Sequence, residues 1–456
     1  MVTKTQEAKA DFELDYSGIL DKIERASRLN GGSSNQGKTY VSTGLLMEDF
    51  ILSGGLQPGT WNTFFGMEQS AKSTNIMSCL KSAVLSEIDN LLYWDYEGST
   101  SGSPDYIENI LGNDLKMEDI FGLKDEGGKW VIPPKARLYV EDVAEKFFDS
   151  MGSFLRKLPD KILLDGQWYY VFDPTNENRK LVGGEYSKKL FTEYKQLYVP
   201  TQDSRPQSMI FLDSYMAMQP EKENDDDAGG QGLAALARMF AENIRKVSSK
   251  LRRKAVILVG INQLREVPMA RGNPEREPGG QALKFASSVR IRQAGRAVPH
   301  ATGLYEEEKS IWSSGGVEIY RYIHMRAIKN KVGVPNLEGW FRLCVEDSFG
   351  NSTGFDPVYD TFQYLKMTGQ VSGTMKKMEL RINGINNPKA KLAWPDFKAL
   401  ILLDSKELKE HCKDLGFDRT VKIHDLCFKQ MRCRESFDLY YNTKRSKAPE
   451  KSEDVD

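Results

Sequence analysis

Residues 61–73 read WNTFFGMEQSAKS, an apolar run that breaks into a short polar loop and closes on a lysine and a serine. The run over 61–65 has the length and aromatic make-up of a strand. Gly66, Met67, Glu68, Gln69, Ser70, Ala71, Lys72 and Ser73 then follow the pattern G-x-x-x-x-G-K-[ST] in all but one place. A loop of this kind wraps phosphate oxygens in backbone N–H groups, helped by the positive end of the helix that follows. Lys72 would reach the β- and γ-phosphates of a nucleotide, and Ser73 would offer its hydroxyl to Mg²⁺. The departure is Ala71, which stands where the pattern has its second glycine. A Cβ there costs little if φ is negative, but about 1 kcal/mol or more if the loop turns left-handed. The turn GGLQPG at 54–59 leads into the strand and a helical pattern over 74–88 leaves it, so turn, strand, loop and helix come in the order this chemistry needs.

Outward from the loop, residues 91–94, 209–212 and 256–261 read as further strands. Helical patterns over 143–157 and 233–251 fall between them. Strands separated by helices predict an α/β fold with a mainly parallel sheet flanked by helices. Ligands bind such sheets at the C-terminal ends of the strands. Glu97 stands there, after Asp95 and Tyr96, where a carboxylate can align a water for attack on a γ-phosphate. Asp213 ends the strand MIFLD and suits support of a metal ion. Gln263 ends the third strand and can sense the γ-phosphate for the loop beyond it. That loop, EVPMARGNPEREPGGQ (266–281), is long and rich in Gly, Pro and Arg. Met269, Arg271, Arg276, Gly279 and Gly280 supply an apolar wedge, charge and backbone donors for single-stranded DNA, without the aromatic residues that usually stack on bases.

The 456 residues exceed one small domain. With 40% hydrophobic and 28% charged residues the composition is that of an ordinary globular protein. No apolar run is long enough for a membrane span and the acidic start is no secretory signal. A net charge of −1 excludes a uniformly basic coat, yet residues 233–296 carry a local excess of +10, a candidate phosphate-binding surface or the solvated face of a basic helix. Five scattered cysteines suit a reducing cytoplasm. His411, Cys412, His424, Cys427 and Cys433 match no common zinc spacing, and the two last cysteines read as packed thiols.

Residues 1–39 read as an amphipathic helical arm and flexible linker for polymerisation, 40–345 as the core, 346–443 as a small α+β or helical C-terminal domain, and 444–456 as a disordered tail. Residues 160–205 interrupt the core, and the aromatic run with its DPTNEN turn (WYYVFDPTNENRKLV, 168–182) predicts an inserted β-hairpin.

Several collinear motifs resemble the bacterial RecA family and its phage-encoded relatives over about residues 40–370: STG at 42–44, the GGL turn, the phosphate loop, DYE at 95–97 and FLDS at 211–214. ARMFAENIRK (237–246), INQLR (261–265), GNPEREPGGQALKFASSVRIR (272–292), KNKVGVP (329–335) and GFDPVYDTFQYLKMTG (354–369) continue the series. The resemblance implies a RecA-type P-loop ATPase core that works as a helical filament on single-stranded DNA, using ATP and Mg²⁺ to pair with homologous duplex DNA and exchange strands. Single-strand-binding and loader proteins would be accessory partners. The phosphate and metal set would be Gly66, Glu68, Ser70, Ala71, Lys72, Ser73 and Thr74 with Asp213, the catalytic carboxylate Glu97 and the sensor Gln263. Arg238, Arg245, Arg265, Arg271, Arg276, Gly279, Gly280, Gln281 and Ala282 would meet DNA, with the tip of a first loop at 220–232. Lys329 and Lys331 would reach the neighbouring subunit's nucleotide, and Phe285 would pack between subunits. Ala71 and the insertion depart from the bacterial pattern and point to a viral or plasmid relative. Two other readings stay open: a RecA-fold helicase or motor, and a filament or mediator protein with weak ATPase.

Overall fold

The computed structural model describes residues 40–98, 100, 104–111, 115–221, 232–266, 275–295, 311–314, 317–344, 354–374, 376–382, 391–417 and 419–431. The expected N-terminal arm and C-terminal tail lie outside the described residues. Two compact units are defined, one containing Pro159–Ser204 and the other containing residues 39–158 and 205–456.

The larger unit is built on a ten-stranded sheet. Its strands are β1 (Trp61–Gly66), β2 (Leu91–Asp95), β3 (Ala136–Val140), β7 (Ser208–Asp213), β8 (Val256–Gln263), β11 (Val289–Gly295), β12 (Ile311–Ser314), β13 (Val317–Asn330), β14 (Glu338–Cys344) and β15 (Gly354–Phe355). They lie in the order β15-β14-β13-β11-β1-β8-β7-β2-β3, with β12 paired to β13. From β11 to β3 every pairing is parallel. From β11 outward through β13, β14 and β15 the pairings are antiparallel, so the sheet is mixed, with the phosphate loop at the end of a central parallel strand. The sequence explains why β1, β2 and β7 sit centrally. Each is buried at every position, as strands covered on both faces must be.

Helices cover both faces. On one side α1 (Leu46–Ile51) and α2 (Lys72–Leu85) pack in a core with Phe64, Phe211 and Val259. On the other, α3 (Ala144–Lys157) and α6 (Gly232–Arg253) bury Phe147, Met151, Phe240 and Val247 against Trp94, Leu212 and Leu258. Leu236, Met239, Phe240, Ile244, Val247 and Leu251 recur every three or four residues on α6, which fixes its buried stripe. Arg238 and Arg245 are thereby left exposed. The STG segment is structural: Asp49 accepts from Ser42 Oγ at 2.5 Å and from Thr43 N and Oγ1 at 2.8 and 2.9 Å. Helix α8 (Pro357–Met367) lends Asp360, whose carboxylate accepts from Leu46 N (2.6 Å) and Met47 N (3.0 Å) at the start of α1. The described residues after 345, such as helix α8, group with this same compact unit. Among the described residues no helix is long and apolar enough to cross a membrane.

The insertion is more than the expected hairpin. Strands β4 (Asp160–Leu164), β5 (Gln167–Phe172) and β6 (Leu197–Thr201) form an antiparallel sheet, with α4 (Asn176–Val182) and α5 (Lys188–Tyr194) between the last two. The hairpin turn is Asp165-Gly166, both at positive φ (51° and 80°), the two-residue geometry for which Asp-Gly is suited. The DPTNEN segment instead starts a helix. Thr175 is the N-cap of α4 and accepts from Asn178 N at 3.1 Å, so residues read as a turn are helix-capping chemistry.

Candidate functional site

The loop between β1 and α2 is pressed against β11. A Cβ on Gly66 would run into the Gln293 carbonyl oxygen and crowd Ser70 Oγ, so glycine is required there. Ala71 is the N-cap of α2 with φ 61° and ψ 29°, the left-handed conformation in which the missing glycine matters. Gln69 is left-handed too, at φ 58°. Ser70 Oγ donates to Met67 O (2.8 Å), and Lys72 Nζ folds back onto Met67 O (2.6 Å) and Ser70 Oγ (3.2 Å). Burial lowers the Lys72 pKa, against the opposing pull of Glu97, Asp213 and Glu68.

Parallel register gathers the acids at the same sheet edge. Asp95 on β2 lies opposite Asp213 on β7, and Gly66 lies opposite Gln263 on β8. Glu97, two residues past β2, is exposed and accepts from Ser214 Oγ at 2.6 Å. Asp213 is 1% exposed and neither of its carboxylate oxygens has a hydrogen-bond partner. Burial first and the Glu97 charge second push its pKa up to about 7. Ser73 and Lys72 oppose the shift, the Ser73 hydroxyl standing near without closing a bond of ordinary geometry. A buried carboxylate with unused lone pairs beside a serine hydroxyl is a hard-oxygen donor set that fits Mg²⁺. Thr74 is buried behind it.

Gln263 Nε2 donates to Glu68 Oε1 at 2.9 Å, tying the end of β8 to the phosphate loop. Two residues further on, β9 (Arg265–Glu266) pairs antiparallel with β10 (Glu275–Arg276) to form a ribbon at the root of the long loop. Arg265 stands directly opposite Arg276, both exposed, and Glu266 opposite Glu275. Like charges facing each other across a ribbon are unfavourable unless an anion sits between them. Glu275 accepts from Arg292 Nη2 at 2.6 Å on β11. Asn262 anchors the ribbon's far end through Glu277 Oε1 (3.1 Å) and Pro278 O (3.0 Å), while Glu277 is ion-paired with Arg290. Arg271 and the rest of residues 267–274 lie outside the described residues, as do 222–231 of the first loop.

Helix α7 (Gly280–Ala286) follows the ribbon, with Gly279 and Gly280 at φ 84° and 70°. Both press on α6: a Cβ on Gly279 would lie 3.3 Å from the Phe240 ring, and one on Gly280 3.2 Å from the Ala237 Cβ. Gln281 is exposed, and Ala282 packs against the α3–α6 core. Phe285 is 72% exposed. Lys329 Nζ donates to Lys284 O (2.6 Å) and Phe285 O (3.1 Å), and burial, Lys331 and Arg290 lower its pKa to about 8. Lys331 is exposed.

Lys72, Ser73, Glu97, Asp213, Gln263 and Glu68 thus meet at one edge. Arg238, Arg245 and the arginine ribbon lie on exposed surface, and Lys329, Lys331 and Phe285 adjoin the end of α7. Sequence reasoning missed Ser214, Asn262, Glu277 and Arg290. Ser214 and Asn262 each adjoin a predicted site residue, which was the available signal. The cysteines Cys79, Cys344, Cys412 and Cys427 are buried and form no disulfide, and among the described residues no group of His, Cys, Asp and Glu could hold a metal ion by itself. His424 is instead bonded to Thr361 Oγ1 at 2.8 Å, with its pKa lowered by burial to about 4.

A loop of this pattern opening a helix, with carboxylates from neighbouring parallel strands at the same edge, is the arrangement of a P-loop α/β fold. The RecA N-terminal domain family matches residues 199–346. The chain is similar to Protein RecA of Streptococcus agalactiae serotype III, 34% identical over 142 residues, covering 31% of this chain and 35% of the relative. Protein RecA of Streptococcus sanguinis is 30% identical over 168 residues (37% and 42%), and that of Streptococcus uberis 38% over 134 (29% and 33%). The matched part therefore spans about a third of the length of these relatives, 33–42%. A solved structure, titled the crystal structure of the RadB recombinase, superposes with a TM-score of 0.37 at 14% identity, over 66% of this chain and 96% of that one. Over this matched part the chain is similar to RecA proteins, and residues 199–346 carry a RecA N-terminal domain segment. The family match takes in Asp213, Gln263, the ribbon and both lysines, whereas Lys72 and Glu97 precede it and rest on their own geometry.

Proposed function

We propose that this protein is an ATP-dependent recombinase that polymerises on single-stranded DNA, pairs it with homologous duplex and exchanges strands in recombination and repair. The observation that carries the reading is the Gln263–Glu68 hydrogen bond. It places the phosphate loop two residues from the facing arginines at the root of the long loop, so that nucleotide state and DNA grip share one strand end.

In the proposed cycle Lys72 leaves Met67 O and Ser70 Oγ for the β- and γ-phosphates. Ser73 and Asp213 would hold Mg²⁺, which neutralises charge on the phosphate oxygens. Glu97, aimed by Ser214, aligns a water and accepts its proton as the water oxygen bonds to the γ-phosphorus. The bond from that phosphorus to the bridging oxygen breaks, leaving ADP and phosphate. Gln263 follows the γ-phosphate and passes its loss to the ribbon through β8. In a filament, Lys329 exchanges the α7 carbonyls for the adjoining subunit's nucleotide, Lys331 joins it, and Phe285 is covered. Arg238, Arg245, Arg265, Arg271 and Arg276 bind DNA phosphates, and the backbone at Gly279, Gly280, Gln281 and Ala282 lies along the strand. Single-strand-binding and loader proteins act on this filament. The left-handed Ala71 and the insertion fit a viral or plasmid-borne member of the family, working in the cytoplasm of the cell that holds it.

The test is ATP turnover with and without single-stranded DNA, run beside strand-exchange and unwinding assays. DNA-stimulated turnover with exchange and no unwinding supports the reading. Unwinding without exchange would assign a motor, DNA binding without turnover a mediator, and intact turnover and exchange in Lys72→Ala would remove the phosphate site from the mechanism.

A further inference from the structure

The phosphate loop holds two left-handed residues that are not glycine, Gln69 and Ala71, within three positions. Each is disfavoured by the contact of its Cβ with the backbone, so the loop needs ties from outside to keep this shape. One comes from the antiparallel half of the sheet. Arg321, half-buried on β13, extends Nη1 to Gln69 O at 3.1 Å and to Gln69 Oε1 at 3.3 Å. It does so across a cavity of about 420 Å³ that Met67–Ser70 share with Arg292, Gln293 and Glu275.

We infer that Arg321 is a positioning residue for ATP, whose guanidinium holds Gln69 and with it the left-handed phosphate loop in its phosphate-binding shape. The inference rests on the proposed nucleotide site. A cradle of N–H donors needs the carbonyls of the same peptides turned away from the phosphates, because C=O and N–H point oppositely across a trans peptide. The Gln69 carbonyl, whose peptide carries the Ser70 N–H, is the one that Arg321 holds. The bond gains in importance when nucleotide arrives. Lys72 then gives up Met67 O, loosening the loop from within, while Arg321 keeps its hold from outside. The positive charge stays on the loop's outer side, where it also favours bound phosphate.

The consequence is a coupling between Arg321 and Ala71. If the arginine stabilises a conformation that alanine resists, glycine at position 71 reduces the need for it. ATP hydrolysis by the full-length protein on single-stranded DNA, at a range of ATP concentrations, reads this for Arg321→Ala, Arg321→Lys, Ala71→Gly and the double variant. Arg321→Ala raises KM for ATP about fivefold to tenfold and leaves kcat within about twofold. Arg321→Lys, which keeps the charge and one donor, falls between it and wild type. In the Ala71→Gly background the same Arg321→Ala change costs no more than about twofold. An unchanged KM in Arg321→Ala, or an equal rise in both backgrounds, overturns the inference. Lys72→Ala separates the two levels. Turnover surviving in that variant removes the nucleotide site and this inference together, whereas turnover lost there, with Arg321→Ala behaving as wild type, removes this inference alone.

Discussion

Replacing both Arg265 and Arg276 by alanine removes a facing pair of exposed like charges, an arrangement that a bound anion would relieve. If each arginine neutralises one phosphate of single-stranded DNA, the double variant loses about 1.4 from the slope of log affinity against log salt, since each contact contributes about 0.7 on a single strand. Relative to a 1 M reference, that is about 25-fold weaker binding at 0.1 M salt and about tenfold at 0.2 M. The assay is fluorescence anisotropy of a labelled oligothymidylate with ATP present, repeated across a salt series. The fold should survive, because the strand pairing and the Glu275–Arg292 ion pair do not involve these side chains. An affinity loss with an unchanged salt slope would mean that the arginines do not meet phosphates. An unchanged affinity would take the ribbon out of the DNA site altogether.

Other predictions follow from the same geometry. Glu97→Gln keeps the hydrogen bond from Ser214 but cannot accept a proton, so phosphate release falls by about 100-fold or more while nucleotide and DNA binding persist; undiminished turnover would reassign the base. Phe285→Ala removes an exposed ring that a neighbouring subunit would bury, costing about 2 kcal/mol per contact. The protein concentration needed for assembly, followed by light scattering, should then rise roughly thirtyfold with no change in melting temperature. An unchanged assembly threshold would remove Phe285 from the interface. Burial pushes the Glu48 pKa up to about 8, and that of Asp360 to about 7. Folding therefore favours their protonated forms, and the stability they confer at low pH is lost as pH climbs through these values. Glu48→Gln, which retains an oxygen for the Asn75 amide now 2.9 Å from Glu48 Oε1, should raise the melting temperature at pH 9 more than at pH 6. An equal change at both would show that Glu48 ionises freely.

The parallel half of the sheet was legible because its strands are short apolar runs that end in polar residues at the ligand edge. Glu97, Asp213 and Gln263 could be picked out for that reason alone. The antiparallel half was not: Val289, Arg290, Ile291 and Arg292 alternate as a half-buried strand does, but which strands pair there is set by register across the sheet and not by local pattern. Register pairs Gln293 with Gly66 and so packs β11 against the phosphate loop, a relation no local pattern contains. The insertion was misread at one point: Asp165-Gly166 carries the stronger hairpin signal, while Thr175 as N-cap, with the acidic Glu177 in the first turn, announces a helix start. Ala71 was legible as a departure, but its cost depended on φ, which only the fold decides.

The central claim is that nucleotide binding at the phosphate loop drives assembly on single-stranded DNA. Electron microscopy of the full-length protein with single-stranded DNA and a slowly hydrolysed ATP analogue tests it directly, with Lys72→Ala and nucleotide-free wild type alongside. Wild type with nucleotide should form continuous helical filaments, and the other two samples none. Closed rings or isolated particles on DNA with nucleotide, or filaments that form equally well in Lys72→Ala, would contradict it.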